Sequence, residues 1–180
     1  MPPESEQFWL QNPVDLNFRV NDRFNAPRNY SNNPTKKQAH EGIDLHAVDA
    51  SGRGVRVLAA QRGVIEKVGN FPPGYGRYVR IRHEWPDGST YVTWYGHLER
   101  ADARRGDFVA AGTPIGIAGN TGFSFGIHLH LTLQHIGHGL KNYVVDDVVD
   151  PEPFFRAGGG PAQVNECAYL ADVTIPDGTT

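Results

Sequence analysis

The sequence lacks several features that mark particular classes of protein. It has one cysteine, Cys167, so no disulfide can form within the chain, and this cysteine lies outside every candidate site. No apolar stretch is long enough to span a membrane as a helix. The formal net charge is -3 and no run of five like charges occurs, which argues against a nucleic-acid-binding protein. Residues 1–6 are acidic and polar, unlike the start of a secretory signal peptide.

A helical pattern is also missing, because no segment carries an apolar stripe over three helical turns. The 21 glycines and 13 prolines follow no repeat period, so they indicate many tight turns and not a collagen-like or low-complexity chain. Hydrophobic residues make up 39% of the 180 residues, which is enough for a packed core.

Short β-rich runs separated by turn signals dominate the middle of the chain. The turn signals are Pro-Pro-Gly at 72–74, Pro-Asp-Gly at 86–88 and Gly-Thr-Pro at 112–114. This pattern predicts an all-β fold, an antiparallel sheet in a sandwich or barrel-like core, with a hairpin at 86–89. The predicted strands are residues 55–59, 63–68, 78–83, 90–95 and 127–134.

Composition divides the chain into four parts. Residues 1–39, rich in Asn, Pro and Arg, are predicted to form an irregular N-terminal lead-in with one short strand at 16–20. Residues 40–155 form the β-rich domain, and the Gly- and Pro-rich residues 156–167 read as a linker. The tail at 168–180 has two interpretations: the first strand of a truncated Ig-like domain, or a last strand that packs on the main domain.

The clearest chemical motif is a pair of histidines within a predicted strand. Residues 127–134 read Ile-His-Leu-His-Leu-Thr-Leu-Gln, so apolar and polar residues alternate strictly. Alternate side chains of a strand share a face, which places His128 and His130 side by side. Two imidazoles held in this way suit a metal site or proton transfer.

A second motif, His-Glu-Gly-Ile-Asp at 40–44, adds a histidine and a carboxylate four residues apart. A catalytic zinc ion takes three protein ligands and a water, so His40, Asp44 and either His128 or His130 would complete a site if they converge. His97, at the end of a predicted strand, lies where sites are commonly built. Each motif alone has a plain structural explanation, but their joint occurrence favours a metal site.

Residues 40–155 resemble the lysostaphin-type, or LytM-like, zinc endopeptidases that cut peptide cross-links in bacterial cell walls. The resemblance covers nearly two thirds of the chain and is densest where Gly-Asn-Thr-Gly precedes His-Leu-His. The matching motifs are His-Glu-Gly-Ile-Asp (40–44), Gly-Val-Ile (63–65), Gly-Arg-Tyr-Val (76–79), Tyr-Gly-His-Leu (95–98), Gly-Thr-Pro-Ile-Gly (112–116), Gly-Asn-Thr-Gly (119–122), His-Leu-His (128–130) and Asp-Pro (150–151).

The resemblance implies a peptidase core with long loops around a groove and one Zn²⁺ ion. It implies that His40, Asp44 and His130 bind the zinc and that His97 and His128 are catalytic. We expect His128 to act as the base, because it lies beside His130 on a rigid strand, and His97 to stabilise the oxyanion.

The chain also departs from the family pattern near the expected groove. Leu131 and Thr132 stand where the family often has an aromatic residue and a glutamate, and two aromatic residues lie at 123–125. The segment 134–147 is longer than the common form. Candidate groove walls are Tyr75, Tyr95 and Phe125, although aromatic residues of an all-β domain also fill cores.

The implied substrate is bacterial peptidoglycan, cut in its cross-links or stem peptides, and the implied location is extracytoplasmic or secreted. The alternative is a non-catalytic module of the same fold that binds the cell wall or activates another hydrolase; retention of all five site residues favours the enzyme. A zinc peptidase acting on glycine-rich proteins would use the same site.

The tail leaves room for a further C-terminal domain in a longer parent chain. Structural or surface roles are expected for the other histidines, His46, His83, His135 and His138.

Overall fold

The computed structural model describes residues 7–28, 38–141 and 145–156, and nearly all of the regular structure in these ranges is β-strand. The one helical element described is a 3-10 turn, Glu152–Phe154. No helix in these ranges is long and apolar enough to cross a membrane. In chain order the strands are β1 (Val20–Asp22), β2 (Pro27–Arg28), β3 (Gln38–Ala39), β4 (Ile43–Leu45), β5 (Arg56–Leu58), β6 (Gly63–Phe71), β7 (Gly76–Glu84), β8 (Thr90–Ala101), β9 (Phe108–Val109), β10 (Pro114–Ala118), β11 (Leu129–His135) and β12 (Val148–Val149).

Ten of these strands form one antiparallel sheet. Its main path runs β1-β4-β11-β8-β7-β6-β9, while β10 pairs with both β5 and β8, and β12 pairs with β11. Strands β2 and β3 form a separate two-stranded ribbon. The predicted all-β antiparallel fold is therefore confirmed. So are the five predicted strands, each of which overlaps an observed one.

The hairpin predicted at 86–89 joins β7 to β8. The Gly88 N–H donates to the Trp85 carbonyl and the Trp85 N–H donates to the Ser89 carbonyl, both at 2.9 Å. Gly88 has φ 85°, a backbone conformation that residues with a Cβ seldom adopt.

Alternation along β11 gives the sheet two different faces. Leu129, Leu131 and Leu133 are fully buried in the main hydrophobic core. The intervening His130 and Thr132 point to the opposite face, where Tyr75, Tyr78, Val92 and Trp94 form a second, smaller apolar cluster. The polar groups on that face are therefore held in place by a sheet whose other face packs against the main hydrophobic core.

The described part of the N-terminal lead-in shares the main core. Phe8, Trp9, Leu10 and Val14 are buried there, and Leu10 exchanges backbone hydrogen bonds with Phe154 and Arg156. The strand predicted at 16–20 overlaps the observed strand β1 only at Val20. Asn12 bends the chain before it: the Asn12 side chain accepts from the Val14 N–H and donates to the Leu16 carbonyl. The tail at 168–180, Cys167 and nearly all of the predicted linker lie outside the described residues.

Candidate metal centre and catalytic site

Two neighbouring strands bring the predicted metal ligands together. His130 on β11 pairs directly with Asp44 on β4, so the two side chains project from the same face of the sheet. His40 lies just before β4, and its ring is 4.9 Å from that of His130, centre to centre. One ligand atom from each of these residues lies within 4.8 Å of the others.

The three inner atoms form a nearly equilateral triangle. His40 Nε2 is 3.0 Å from His130 Nδ1 and 3.1 Å from Asp44 Oδ1, and His130 Nδ1 is 2.9 Å from Asp44 Oδ1. Ligands of a tetrahedral zinc ion with bonds of about 2.0–2.1 Å lie about 3.3 Å apart. The spacing thus suits three corners of such a site.

The outer nitrogen of each ligand histidine is held by a hydrogen bond that directs its proton away from the centre. His40 Nδ1 lies 2.9 Å from the Arg23 carbonyl, which can only accept, so the Nε2 lone pair faces inward. His130 Nε2 lies 2.9 Å from Thr132 Oγ1, which is 3.0 Å from the Tyr75 hydroxyl.

The chain of hydrogen bonds from His130 ends on an acceptor. Tyr75 is also hydrogen-bonded to the Glu41 side chain, and burial together with this carboxylate raises the Tyr75 pKa well above its usual value. Because a carboxylate accepts, Tyr75 donates to Glu41, Thr132 donates to Tyr75, and His130 Nε2 donates to Thr132. His130 Nδ1, His40 Nε2 and Asp44 Oδ1 are then three acceptors facing one another, a donor set that fits a cation.

Asp44 brings a negative charge to the centre. Burial alone would raise the pKa of Asp44, but its contacts with His128, His130 and His40 outweigh burial and hold that pKa far below its usual range. The carboxylate is therefore ionised at any physiological pH, as a metal ligand must be.

His97 reaches this face through a β-bulge. Three steps along β8 from Tyr95 to Leu98 oppose two along β7, and His97 has φ 61°. Its Nδ1 donates to the Thr121 carbonyl at 2.8 Å, which leaves Nε2 facing the centre. Burial, followed by the nearby His130 and His128, lowers the His97 pKa to about 4.

His128 lies just before β11 and completes the group. Its ring is 4.8 Å from that of His97, its Nδ1 donates to the Gly126 carbonyl at 2.8 Å, and its Nε2 is 3.5 Å from Asp44 Oδ1. Burial alone would lower the His128 pKa, but the hydrogen bond to Asp44 outweighs it and the pKa is raised. The structure thus gathers all five predicted histidine and aspartate side chains in one cluster.

The three predicted groove residues fall in different places. Tyr75 is only 5% exposed and packs edge-on against the His130 ring, so it supports that ring from inside the protein. Phe125 is 90% exposed, contacts Phe123 edge-to-face, and lies on the loop that leads into His128.

Tyr95 does not reach the site. It is fully buried in the main core, where its hydroxyl accepts from the Ala60 N–H. Its placement in the groove was wrong, because the bulge at His97 turns His97 away from the face of Tyr95, and Tyr95 lies on the core face.

Sequence patterns missed several residues that touch the centre. Arg28 lies 3.3 Å from Asp44 Oδ2, and Thr132 and Glu41 continue the chain from His130. No periodic signal marks Arg28, which lies on the two-residue strand β2 of the separate ribbon and reaches Asp44 with its side chain, 16 positions further along the chain. His46, His83, His135 and His138 lie outside the ligand cluster.

A family model for Peptidase family M23 matches residues 38–143, more than half of the chain. The peptidoglycan DD-endopeptidase ShyA of Vibrio cholerae is 37% identical over 122 residues, 67% of this chain and 26% of that protein. The first relatives found are matched over only about a quarter to a third of their length.

A comparison with solved structures also finds peptidases that resemble this chain. The catalytic domain of the antimicrobial peptidase lysostaphin from Staphylococcus simulans superposes with a TM-score of 0.59 at 27% identity, covering 77% of this chain and 92% of that one. A zinc containing peptidase from Vibrio cholerae gives a TM-score of 0.60 at 28% identity, covering 81% of this chain and 40% of that one.

Proposed function

Because this chain belongs to peptidase family M23, we propose that it is a zinc-dependent endopeptidase that hydrolyses peptide bonds in bacterial peptidoglycan, in the cross-links or the stem peptides. The observation that carries the proposal is the inward-facing triangle of His40 Nε2, Asp44 Oδ1 and His130 Nδ1, with two further histidines at its edge. Relatives named as peptidoglycan and glycyl-glycine endopeptidases support this choice of substrate.

In this proposal His40, Asp44 and His130 hold the ion. A bound zinc ion would lower the pKa of a coordinated water to about 7 and polarise the scissile carbonyl. The protein keeps the ligands in place through the Arg23 carbonyl behind His40 and through Thr132 behind His130. These outer contacts fix which nitrogen of each ring is available.

His97 and His128 supply proton transfer and a hydrogen bond to the oxyanion. Both rings use Nδ1 to donate to a backbone carbonyl, so both present Nε2 to the centre. A neutral ring accepts a proton there and a protonated ring donates one. A pair that carries a single proton therefore provides one base and one donor.

This pair allows two assignments of the base and of the group that stabilises the oxyanion. The position of His128 two residues before His130 favours His128 as the base. The contact of His128 with Asp44 and the low pKa of His97 instead favour a proton on His128, with His97 as the acceptor. The pH–rate profiles of His97→Ala and His128→Ala, each with zinc content measured, distinguish the two orders: the base variant loses the acidic limb.

Substrate would approach over the loop before His128. Asn120 accepts from the Gly126 N–H at 2.8 Å and bonds Ser124, which fixes the loop that carries Phe125. We place the exposed Phe125 at the wall of the groove and Tyr75 beneath the metal. Action on peptidoglycan would place the protein outside the cytoplasm.

The decisive experiment is the release of new amino groups from purified peptidoglycan by the zinc-loaded protein, with chelator-treated protein alongside. We expect amines only in the zinc-loaded sample, and the new N-terminal residue identifies the bond. Asp44→Ala should bind far less zinc and release no amines, whereas His97→Ala should keep zinc and lose most, but not all, of its turnover.

The competing function is a non-catalytic cell-wall-binding or hydrolase-activating module. Zinc-loaded protein that binds peptidoglycan, releases no amines and stimulates another hydrolase would establish that function and refute ours. The presence of all five site residues in one cluster argues for the enzyme.

A further inference from the structure

Two aspartates lie side by side at the edge of the metal centre. Asp22 on β1 is the direct cross-strand partner of Asp44 on β4. Like charges at directly opposed positions repel and destabilise a sheet. The pair therefore needs a cation that reaches both carboxylates.

Arg28 is that cation. Its Nη1 lies 2.5 Å from Asp22 Oδ2 and its Nη2 lies 3.3 Å from Asp44 Oδ2. The Arg28 side chain is 28% exposed and that of Asp44 is 16% exposed, so water screens this pair less than a surface ion pair. One planar guanidinium thus bridges two carboxylates that face each other.

The contact divides the two oxygens of Asp44 between different partners. Oδ1 faces His40, His128 and His130, whereas Oδ2 faces Arg28. A carboxylate held in this way can offer only Oδ1 to a metal ion. Without the guanidinium, Oδ2 would be free to swing inward and bind as well, or the carboxylate would rotate away from the triangle.

We propose that Arg28 is a positioning residue of the metal centre. It holds Asp44 as a monodentate ligand, and Asp22 orients the Arg28 side chain. This inference rests on the metal site of the proposed function and not on the substrate. It also gives a role to the N-terminal segment, which would contribute to metal binding through Arg28 although it contains none of the metal ligands.

Two effects of Arg28 on the metal act in opposite directions. Its positive charge repels a cation, but Asp22 compensates that charge at short range. Its hydrogen bond orders a ligand, and loss of such outer contacts lowers metal affinity about 10–100-fold. We therefore expect ordering to prevail.

The test measures zinc affinity by competition with a chelator, together with the visible absorption of the cobalt-substituted protein, which weakens as the coordination number rises. Arg28→Gln should bind zinc about 10–100-fold more weakly and change the cobalt spectrum. Arg28→Lys should also bind more weakly, because a single ammonium cannot span both carboxylates. Arg56→Gln is the control: it removes the same charge from an exposed pair with Asp15 and should leave both readouts unchanged.

An unchanged or tighter affinity in Arg28→Gln, or wild-type behaviour in Arg28→Lys, would overturn the proposal. If Arg28→Gln does not fold, which thermal unfolding of the metal-free protein reveals, Asp22→Asn provides the second variant. This variant removes the carboxylate that orients the Arg28 side chain, so it should also weaken zinc binding. An unchanged zinc affinity would refute the proposal. Neither measurement uses peptidoglycan, so a failure of the endopeptidase function would not obscure the result. A wild-type protein that binds no zinc would refute both.

Discussion

The protein contains two chains of hydrogen bonds built from the same three residue types, on opposite faces of one sheet. In the core, His83, Thr93 and Tyr95 are linked by contacts of 2.8 and 3.0 Å. At the metal centre, His130, Thr132 and Tyr75 are linked by contacts of 2.9 and 3.0 Å. Composition alone does not distinguish the structural chain from the functional one.

The difference lies in the groups at the two ends. The core chain ends at Tyr95 on a donor, the Ala60 N–H, and His83 Nδ1 donates to the Arg62 carbonyl at 2.7 Å. Burial lowers the His83 pKa to about 4, so the ring is neutral, and its Nε2 lies 2.8 Å from Thr93 Oγ1. Both nitrogens of His83 are therefore used within the protein.

At the metal centre the chain of hydrogen bonds ends on a different kind of group. That chain ends on an acceptor, Glu41, so His130 donates outward and its Nδ1 lone pair faces Asp44. The same unit is thus structural when both ring nitrogens are satisfied and can bind a metal when one nitrogen faces an acid. The terminal group, and not the histidine, decides which role is taken.

Substitution of the central threonine should separate the two roles. Thr93→Val leaves His83 and Tyr95 without their buried partner, and we expect a loss of about 1–3 kcal/mol in the free energy of unfolding with zinc affinity unchanged. Thr132→Val frees the His130 ring and should lower zinc affinity about 10–100-fold. Denaturant unfolding of the metal-free proteins and chelator competition measure the two effects. Equal zinc affinities in the two variants would show that the two chains do not differ in function.

The pH dependence of stability should report on the core chain. The pKa of His83 is about 4 in the folded protein against 6.5 for an unperturbed histidine, so below pH 6.5 the unfolded state binds a proton that the folded state does not. This contribution to stability is present above pH 6.5 and falls by about 1.4 kcal/mol per pH unit, or about 2 kcal/mol at pH 5.

The measurement compares urea unfolding of the metal-free wild type and His83→Asn at pH 7 and pH 5. Subtraction of the two removes the titration of the metal-centre histidines. The stability advantage of the wild type should shrink as the pH falls. A constant difference would mean that the folded core does not lower the His83 pKa.

How much of this contrast the sequence predicts depends on the range of the contacts. Strict alternation in β11 predicted that His130 and Thr132 share a face, and the spacing of His40 and Asp44 predicted ligands that converge with them. The groove position expected for Tyr95 was wrong, because the bulge at His97 adds one residue to β8 and leaves Tyr95 on the core face. A positive φ at a histidine leaves no mark in the sequence.

Contacts between distant segments were beyond sequence reasoning. Asp22 meets Asp44 only because β1 pairs with β4, and Arg28 reaches both carboxylates from the separate ribbon of β2 and β3. The short strand predicted at 16–20 overlaps β1 only at Val20. The choice of His130 over His128 as the ligand likewise came from family resemblance. In the structure His130 pairs directly with Asp44, whereas His128 lies before β11 begins.

The smallest expected effects come from the two tyrosines, and they sharpen the comparison most. Tyr95→Phe leaves the buried Ala60 N–H without an acceptor, so we expect a destabilisation of about 1 kcal/mol and no change in zinc binding. Tyr75→Phe keeps the ring stacked on Trp94 but breaks the link from Thr132 to Glu41, and zinc affinity should fall by less than about 10-fold. Calorimetric unfolding and zinc titration of both variants measure these changes. If Tyr75→Phe alters stability alone, Glu41 does not orient His130, and the polarity of the chain would have to be set by Asp44 instead.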